Sequence, residues 1–89
     1  MGTAGIKIKI MPLSPEVNLE EIKEKAKTLI EEKGGKNCRF EEEPIAFGLK
    51  AIITFFEIPE EQEVEEIENE IKEIENVNSA QIIDMRRLL

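Results

Sequence analysis

At 89 residues the chain has room for one core, given roughly 100–200 residues per domain. It holds no His, one Cys and no Trp or Tyr, which excludes a Ser-His-Asp triad, a His-ligated metal, an intramolecular disulfide and a four-cysteine zinc site. The net charge of -8 opposes a nucleic-acid polyanion, and four Phe leave little aromatic surface for base stacking.

Ile6, Lys7, Ile8, Lys9 and Ile10 alternate strictly, which predicts a first strand with one dry and one wet face, closed by Pro12 and Pro15. Asn18 followed by Glu21 has the form of a capping box and starts a helix, with Ser14-Pro15 as a competing start. Leu19, Ile22, Ala26, Leu29 and Ile30 recur at helical spacing, and Gly34-Gly35 stops the run. Lys36 follows that pair, but the segment ends a helix where a phosphate loop would open one.

Cys38 and Phe40 alternate with Arg39 and Glu41 in a second strand ending near Pro44. Leu49 to Phe56 reads as a third, more central strand, closed by Pro59. Val64, Ile67, Ile71 and Ile74 form one face of a second helix. Its other faces are almost all Glu: residues 57–75 hold ten Glu and one Lys, while the rest of the chain is nearly balanced. That segment reads as a solvated face, its sharper reading being steering toward a basic surface. Asn76 to Ser79 form a turn, and Ala80 to Leu88 the last strand. The pattern leaves open which of Ile82 and Ile83 faces the helices.

The order strand, helix, strand, strand, helix, strand predicts an α+β, ferredoxin-like βαββαβ sandwich: a four-stranded antiparallel sheet with two helices on one face. That fold hosts many unrelated activities. No apolar stretch approaches the ~20 residues of a membrane span, and no charged-then-apolar leader follows the start. Met1-Gly2 lacks the Ser or Thr of a myristoylation signal, Ile6 standing there instead. With its lone Cys38 best read as a small packed apolar residue, the chain reads as cytoplasmic.

Three stretches narrow the function: MPLSPEVNLEEI (Met11 to Ile22), EEPIAFGLKA (Glu42 to Ala51) and DMRRLL (Asp84 to Leu89). With the element order and the length, they closely resemble archaeal-type translation elongation factor 1-beta, a guanine-nucleotide exchange factor, across the whole chain. The resemblance implies one exchange domain over residues 1–89. Its partner would be elongation factor 1-alpha, the GTPase that carries aminoacyl-tRNA, and its action the release of that partner's GDP. In the related eukaryotic factors a lysine next to the C-terminus enters the partner's magnesium site, and an aromatic meets the partner's second domain. An ungapped match places Arg87 at the lysine and Phe47 at the aromatic. Lys50 matches a lysine of the motif, and Met85 and Leu88 match its apolar neighbours.

Two departures stand out. Arginine replaces lysine, and the chain runs one residue further than the eukaryotic factors, so Arg86 is the inserted cation in another register. Ala46 stands at the motif's first Gly, stiffening the backbone before Phe47. Each residue also has a plainer reading: Arg86 and Arg87 as a solvated chain end, Phe47 as core packing near a turn. Adjacent strand residues point to opposite faces, so the two arginines are not expected to share a job. No cofactor, metal, membrane or direct nucleic-acid contact is implied, and the oligomeric state is left open, with a monomer compatible. Two rivals remain from the fold alone: an RNA-recognition-like module, and a ligand-sensing or dimerisation domain.

Overall fold

The computed structural model describes residues Gly2 to Leu88; the first residue of the proposed 1–89 domain and the last Leu of the DMRRLL stretch lie outside it. β1 (Thr3–Pro12) buries every second residue along its whole length. Ala4, Ile6, Ile8 and Ile10 point into the core, while Lys7 and Lys9 point to the opposite face. α1 spans Leu19–Glu32. Its first turn is capped by Asn18, whose Oδ1 accepts the Glu20 N–H at 3.0 Å, so the Ser14-Pro15 start is not used.

The helix ends in a Schellman motif. Gly34 takes φ +95°, its N–H donates to Glu31 O, and the Gly35 N–H donates to Ile30 O at 2.9 Å. A Cβ at Gly35 would come within 2.3 Å of the Ile30 side chain, so the second glycine is needed for space as the first is for φ.

β2 (Lys36–Pro44), β3 (Lys50–Pro59), α2 (Val64–Lys72) and β4 (Val77–Leu88) complete the predicted order. The sheet runs β2-β3-β1-β4 with every neighbouring pair antiparallel. Ile22, Ala26 and Ile30 of α1 and Ile67 and Ile71 of α2 pack on one sheet face, against Ile6, Ile8, Ile10, Ile52, Phe56 and Ile58. Leu19, Leu29 and Val64 complete the edge of that core, and Ile74 packs there from just beyond α2. Burying one isoleucine stabilises by about 1.5–3 kcal/mol, so this layer contact is the main driving force. Lys33, at the end of α1, bonds Glu70 at 2.6 Å and ties the two helices together.

β4 departs from expectation in two ways. It begins at Val77, three residues before the predicted Ala80. The reversal is made at residues 73–76, where Asn76 takes φ +72° and its carbonyl accepts the Leu13 N–H at 2.9 Å. Val77 is then free to point into the core. The Ile82/Ile83 question is resolved by a bulge: Ile8 pairs with Ile82 but Lys7 with Asp84, so Ile83 is the extra residue. Ile82 packs on the core and Ile83 is exposed.

Among the described residues, Thr54 is the one with a buried side-chain polar atom left unpaired. It sits between Ile8 and Phe40, fully buried, and its hydroxyl has no hydrogen-bond partner. Removing an unpaired buried hydroxyl recovers about 1–2 kcal/mol. Thr54→Val is expected to raise Tm by about 4–16 °C in a thermal melt; an unchanged or lower Tm would show that the hydroxyl is satisfied in solution.

Candidate functional site

The candidate residues divide between two ends of the sheet. Phe47 and Lys50 belong to the β2–β3 hairpin. Ile45 N–H donates to Leu49 O at 2.8 Å, and Leu49 N–H donates back to Ala46 O at 3.0 Å. Phe47 and Gly48 form the centre of this two-residue turn, with φ +57° and +80°. A turn with positive φ at both centres matches the twist of the flanking strands, and Asn-Gly is its usual occupant. An aromatic there is a backbone outlier that costs about 1–3 kcal/mol. The side chain gains nothing from burial, because Phe47 is 95% exposed. The core-packing reading of Phe47 is therefore wrong: the turn holds it out into solvent.

The hairpin tip lies beside the β1–α1 loop, where a Cβ on Gly48 would meet Pro15 at 3.7 Å. Lys50 is exposed at its base, with Nζ 3.9 Å from Glu42. Lys23 of α1 reaches the same carboxylate at 2.8 Å and holds the Glu42 carboxyl below the usual carboxylate range.

The other end is the last third of β4, and the bulge determines its faces. Met85 pairs with Ile6 and Arg87 with Ala4, on the helix side of the sheet. Asp84 pairs with Lys7 and Arg86 with Gly5, on the open side. Arg86 Nε donates to Asp84 Oδ2 at 3.0 Å, whereas Arg87 Nε donates to Glu60, at the start of the β3–α2 loop. Glu60 is held close by, its N–H donating to Gly2 O at 3.0 Å. A Cβ on Gly2 would come within 2.6 Å of the Glu60 carboxylate, so the glycine leaves room for that acid.

Each arginine borders its own cleft. Arg86 and Leu88 line a hollow of ≈ 770 Å³ on the open sheet face with Gly5, Lys7 and Phe55. Arg87 and Met85 line one of ≈ 450 Å³ on the helix side with Ala4, Ile58, Glu60 and Val64. The alternation that separates the two arginines was legible in the sequence. Their acids were less so: Asp84 is two residues away on the same strand face, but Glu60 lies 27 residues from its partner.

The two ends are far apart. Arg86, Gly5 and Glu57 share one row of the sheet, and Lys50 lies seven residues from Glu57 along β3, about 23 Å. Phe47 lies beyond Lys50, on a molecule whose long dimension is 42 Å. No single pocket gathers the six residues.

The open face between the ends carries one Phe, Phe55, with Lys7 Nζ at 5.0 Å and Arg39 Cζ at 5.4 Å from the ring centroid. Both cations thus occupy the ring's surroundings, and Glu41, Glu43, Glu57 and Asp84 alternate with them on that face. This is not the row of free stacking aromatics an RNA-recognition module presents. Cys38 faces the helices, and its thiol is pushed up to about 11, chiefly by burial, with Glu31 adding and Lys27 opposing. No helix among the described residues is long and apolar enough to cross a membrane.

Fold and site together describe a small ferredoxin-like domain that displays an aromatic at one end and two arginines at the other, an arrangement suited to docking. The sequence profile of the EF-1 guanine nucleotide exchange domain matches residues 5–88. Among similar proteins, the elongation factor 1-beta of Methanocaldococcus jannaschii is 45% identical over 86 residues, covering 96% of this chain and 97% of the relative. That of Pyrococcus abyssi is 44% identical over 91% of this chain and 90% of its own. That of Methanococcus maripaludis is 37% identical over 96% and 97%. The chain belongs to the EF-1 guanine nucleotide exchange domain family, as its three sequence stretches indicated.

The raised thiol gives a direct check on packing. Thiolate is the reacting form, so at pH 8 alkylation of Cys38 in the folded protein should run roughly a hundredfold slower than in denaturant. Equal rates in the two states would mean that Cys38, on β2, is not packed against the core beneath α1.

Proposed function

We propose that this protein is an exchange factor in translation elongation, promoting release of GDP from elongation factor 1-alpha so that GTP can bind. The observation that carries the reading is the family match over residues 5–88. The domain works as one unit over residues 1–89, in the cytoplasm, and acts by binding a GTPase without covalent chemistry of its own.

The mechanism follows from how a GTPase holds its nucleotide. Bound Mg²⁺ would help hold GDP through its phosphates, with a hydroxyl and a carboxylate of the GTPase holding the ion in turn. A guanidinium brought to that position would satisfy the carboxylate with a single charge in place of the ion's two, and with its donors committed to the carboxylate it would leave the phosphates without their clamp. The factor binds the nucleotide-free state better than the GDP-bound state, and that difference drives release. Arg87 is the cation in this proposal. It is three-quarters exposed, and its guanidinium can exchange the Glu60 carboxylate for one of the partner's without unfolding anything.

Phe47 supplies the second contact. A strained backbone that holds an aromatic in water is a cost with no return in the free protein, and burial against a partner would return it. Lys50 and the apolar Met85 and Leu88 flank the two contacts, and Arg86 on the open face stands in reserve for the other register. Two contacts more than 20 Å apart suit a partner engaged through two domains.

Release of a fluorescent GDP analogue from elongation factor 1-alpha tests the reading. The wild-type protein should accelerate release; Arg87→Ala should lower the acceleration by about tenfold or more, and Arg86→Ala by less than Arg87→Ala. A larger loss in Arg86→Ala would move the cation to the open face. No acceleration by the wild-type protein, with a cognate partner at its working temperature, would overturn exchange itself. Phe47→Ala should change stability by no more than about 0.5 kcal/mol while lowering exchange several-fold. A variant that loses stability instead would put Phe47 back in a structural role.

A further inference from the structure

The bulge at Ile83 does more than lengthen β4. Side chains alternate with period two, so a regular ladder without the extra residue would turn every later residue over. Asp84 would then face Ile6 and the core, Arg86 would move to the helix side, and Arg87 to the open face. What presents Arg87 beside α2 is therefore the bulge, and the bulge sits on an edge strand that has β1 on one side only.

On the outer side of that edge, α2 provides the missing partner. Ile82, the last residue before the extra one, directs its N–H away from β1 to Glu68 Oε2 at 2.8 Å. Glu68 differs from its acidic neighbours on α2: its side chain is 19% exposed, against 57% for Glu66 and 45% for Glu70. Lys72 approaches it at 3.9 Å from one turn further on, so the carboxylate is held in place from both directions. A half-buried carboxylate aimed at an edge-strand N–H, among solvated ones, is set apart by position.

We propose that Glu68 is a positioning residue for the C-terminal arginines. Its carboxylate clamps the Ile82 N–H, stabilises the bulge at Ile83 and so keeps Arg87 on the helix side and Arg86 on the open face. The effect on exchange rests on the reading of Arg87 given above; the effect on the bulge does not. Glu68 itself touches no partner in this account.

The test has an arm in the free protein and an arm in the complex. In free Glu68→Ala, the Ile82 amide should exchange hydrogen about tenfold faster than in the wild type, as expected for loss of one charge-assisted hydrogen bond. The cross-strand nuclear Overhauser contact between the Met85 and Ile6 side chains, which are direct partners on the helix side, should weaken. With elongation factor 1-alpha, Glu68→Ala should lower GDP release, and adding Arg87→Ala to it should cost clearly less than Arg87→Ala costs alone, because the two act through one element. Glu68→Gln keeps an acceptor at the same reach and should restore all three readouts. If the Ala variant does not fold, Glu68→Asp, one methylene short, takes its place. Unchanged Ile82 protection with an unchanged Met85 contact overturns the proposal, as do losses from Glu68 and Arg87 that multiply independently. If the wild type fails to release GDP, the exchange reading falls, and the free-protein arm still decides whether Glu68 holds the bulge.

Discussion

β1 pairs with β3 on one side and β4 on the other, and its alternation of Ile and Lys decides which way both neighbours face. Ile6, Ile8 and Ile10 must be buried, because together they form the floor on which both helices pack. Once that is set, cross-strand pairing carries the choice outward. Phe56 opposite Ile6 goes in, and Phe55 opposite Lys7 goes out. On β4 the same rule sends Met85 and Arg87 to the helix side and Asp84 and Arg86 to the open side. Every candidate contact residue of the C-terminal end therefore takes its direction from one central strand and from the bulge at Ile83 that sets β4's register against it.

The same strand sets the separation of the two ends. β3 runs antiparallel to β1, so the hairpin that displays Phe47 lies at the end of β1 where Ile10 and Pro12 are. β4 also runs antiparallel, so its last residues lie at the opposite end, beside Thr3 and Ala4. A packed sheet does not shorten or bend cheaply. The rigid span between the aromatic and the cation would let affinity gained at one end place the other, which is how binding energy remote from a site is used to act at it. The strain at Phe47 fits this picture: among the described residues nothing buries its ring, and in the proposed mechanism a partner's surface would return the cost.

How far this was legible in the sequence depended on how local each cause is. The strict alternation of β1, the Asn18 cap and the Gly34-Gly35 stop are short-range signals, and each element formed where it was expected. The start of β4 was misplaced because Asn76, Asn78 and Ser79 are all turn formers. The choice among them falls to the Leu13 N–H, which meets the Asn76 carbonyl from another part of the chain. Ile82 and Ile83 were indistinguishable for a similar reason: the bulge has no local mark, and its outer support comes from Glu68 on α2. Phe47 allowed two readings because its exposure depends on a turn geometry that Phe-Gly seldom adopts. The family was legible from three motifs, yet motifs alone could not say that their residues sit at opposite ends of the fold.

In the proposed mechanism one rigid sheet presents two separate contacts to one GTPase. Photo-crosslinking would locate both contacts, with a photoreactive side chain placed at position 47 in one sample and at position 87 in another. Each would be mixed with nucleotide-free elongation factor 1-alpha and the attachment sites mapped. Position 87 is expected to attach within the nucleotide-binding domain, beside the magnesium site, and position 47 on a different domain of the same molecule. Attachment of both to one segment, or of position 47 to nothing, would contradict that mechanism.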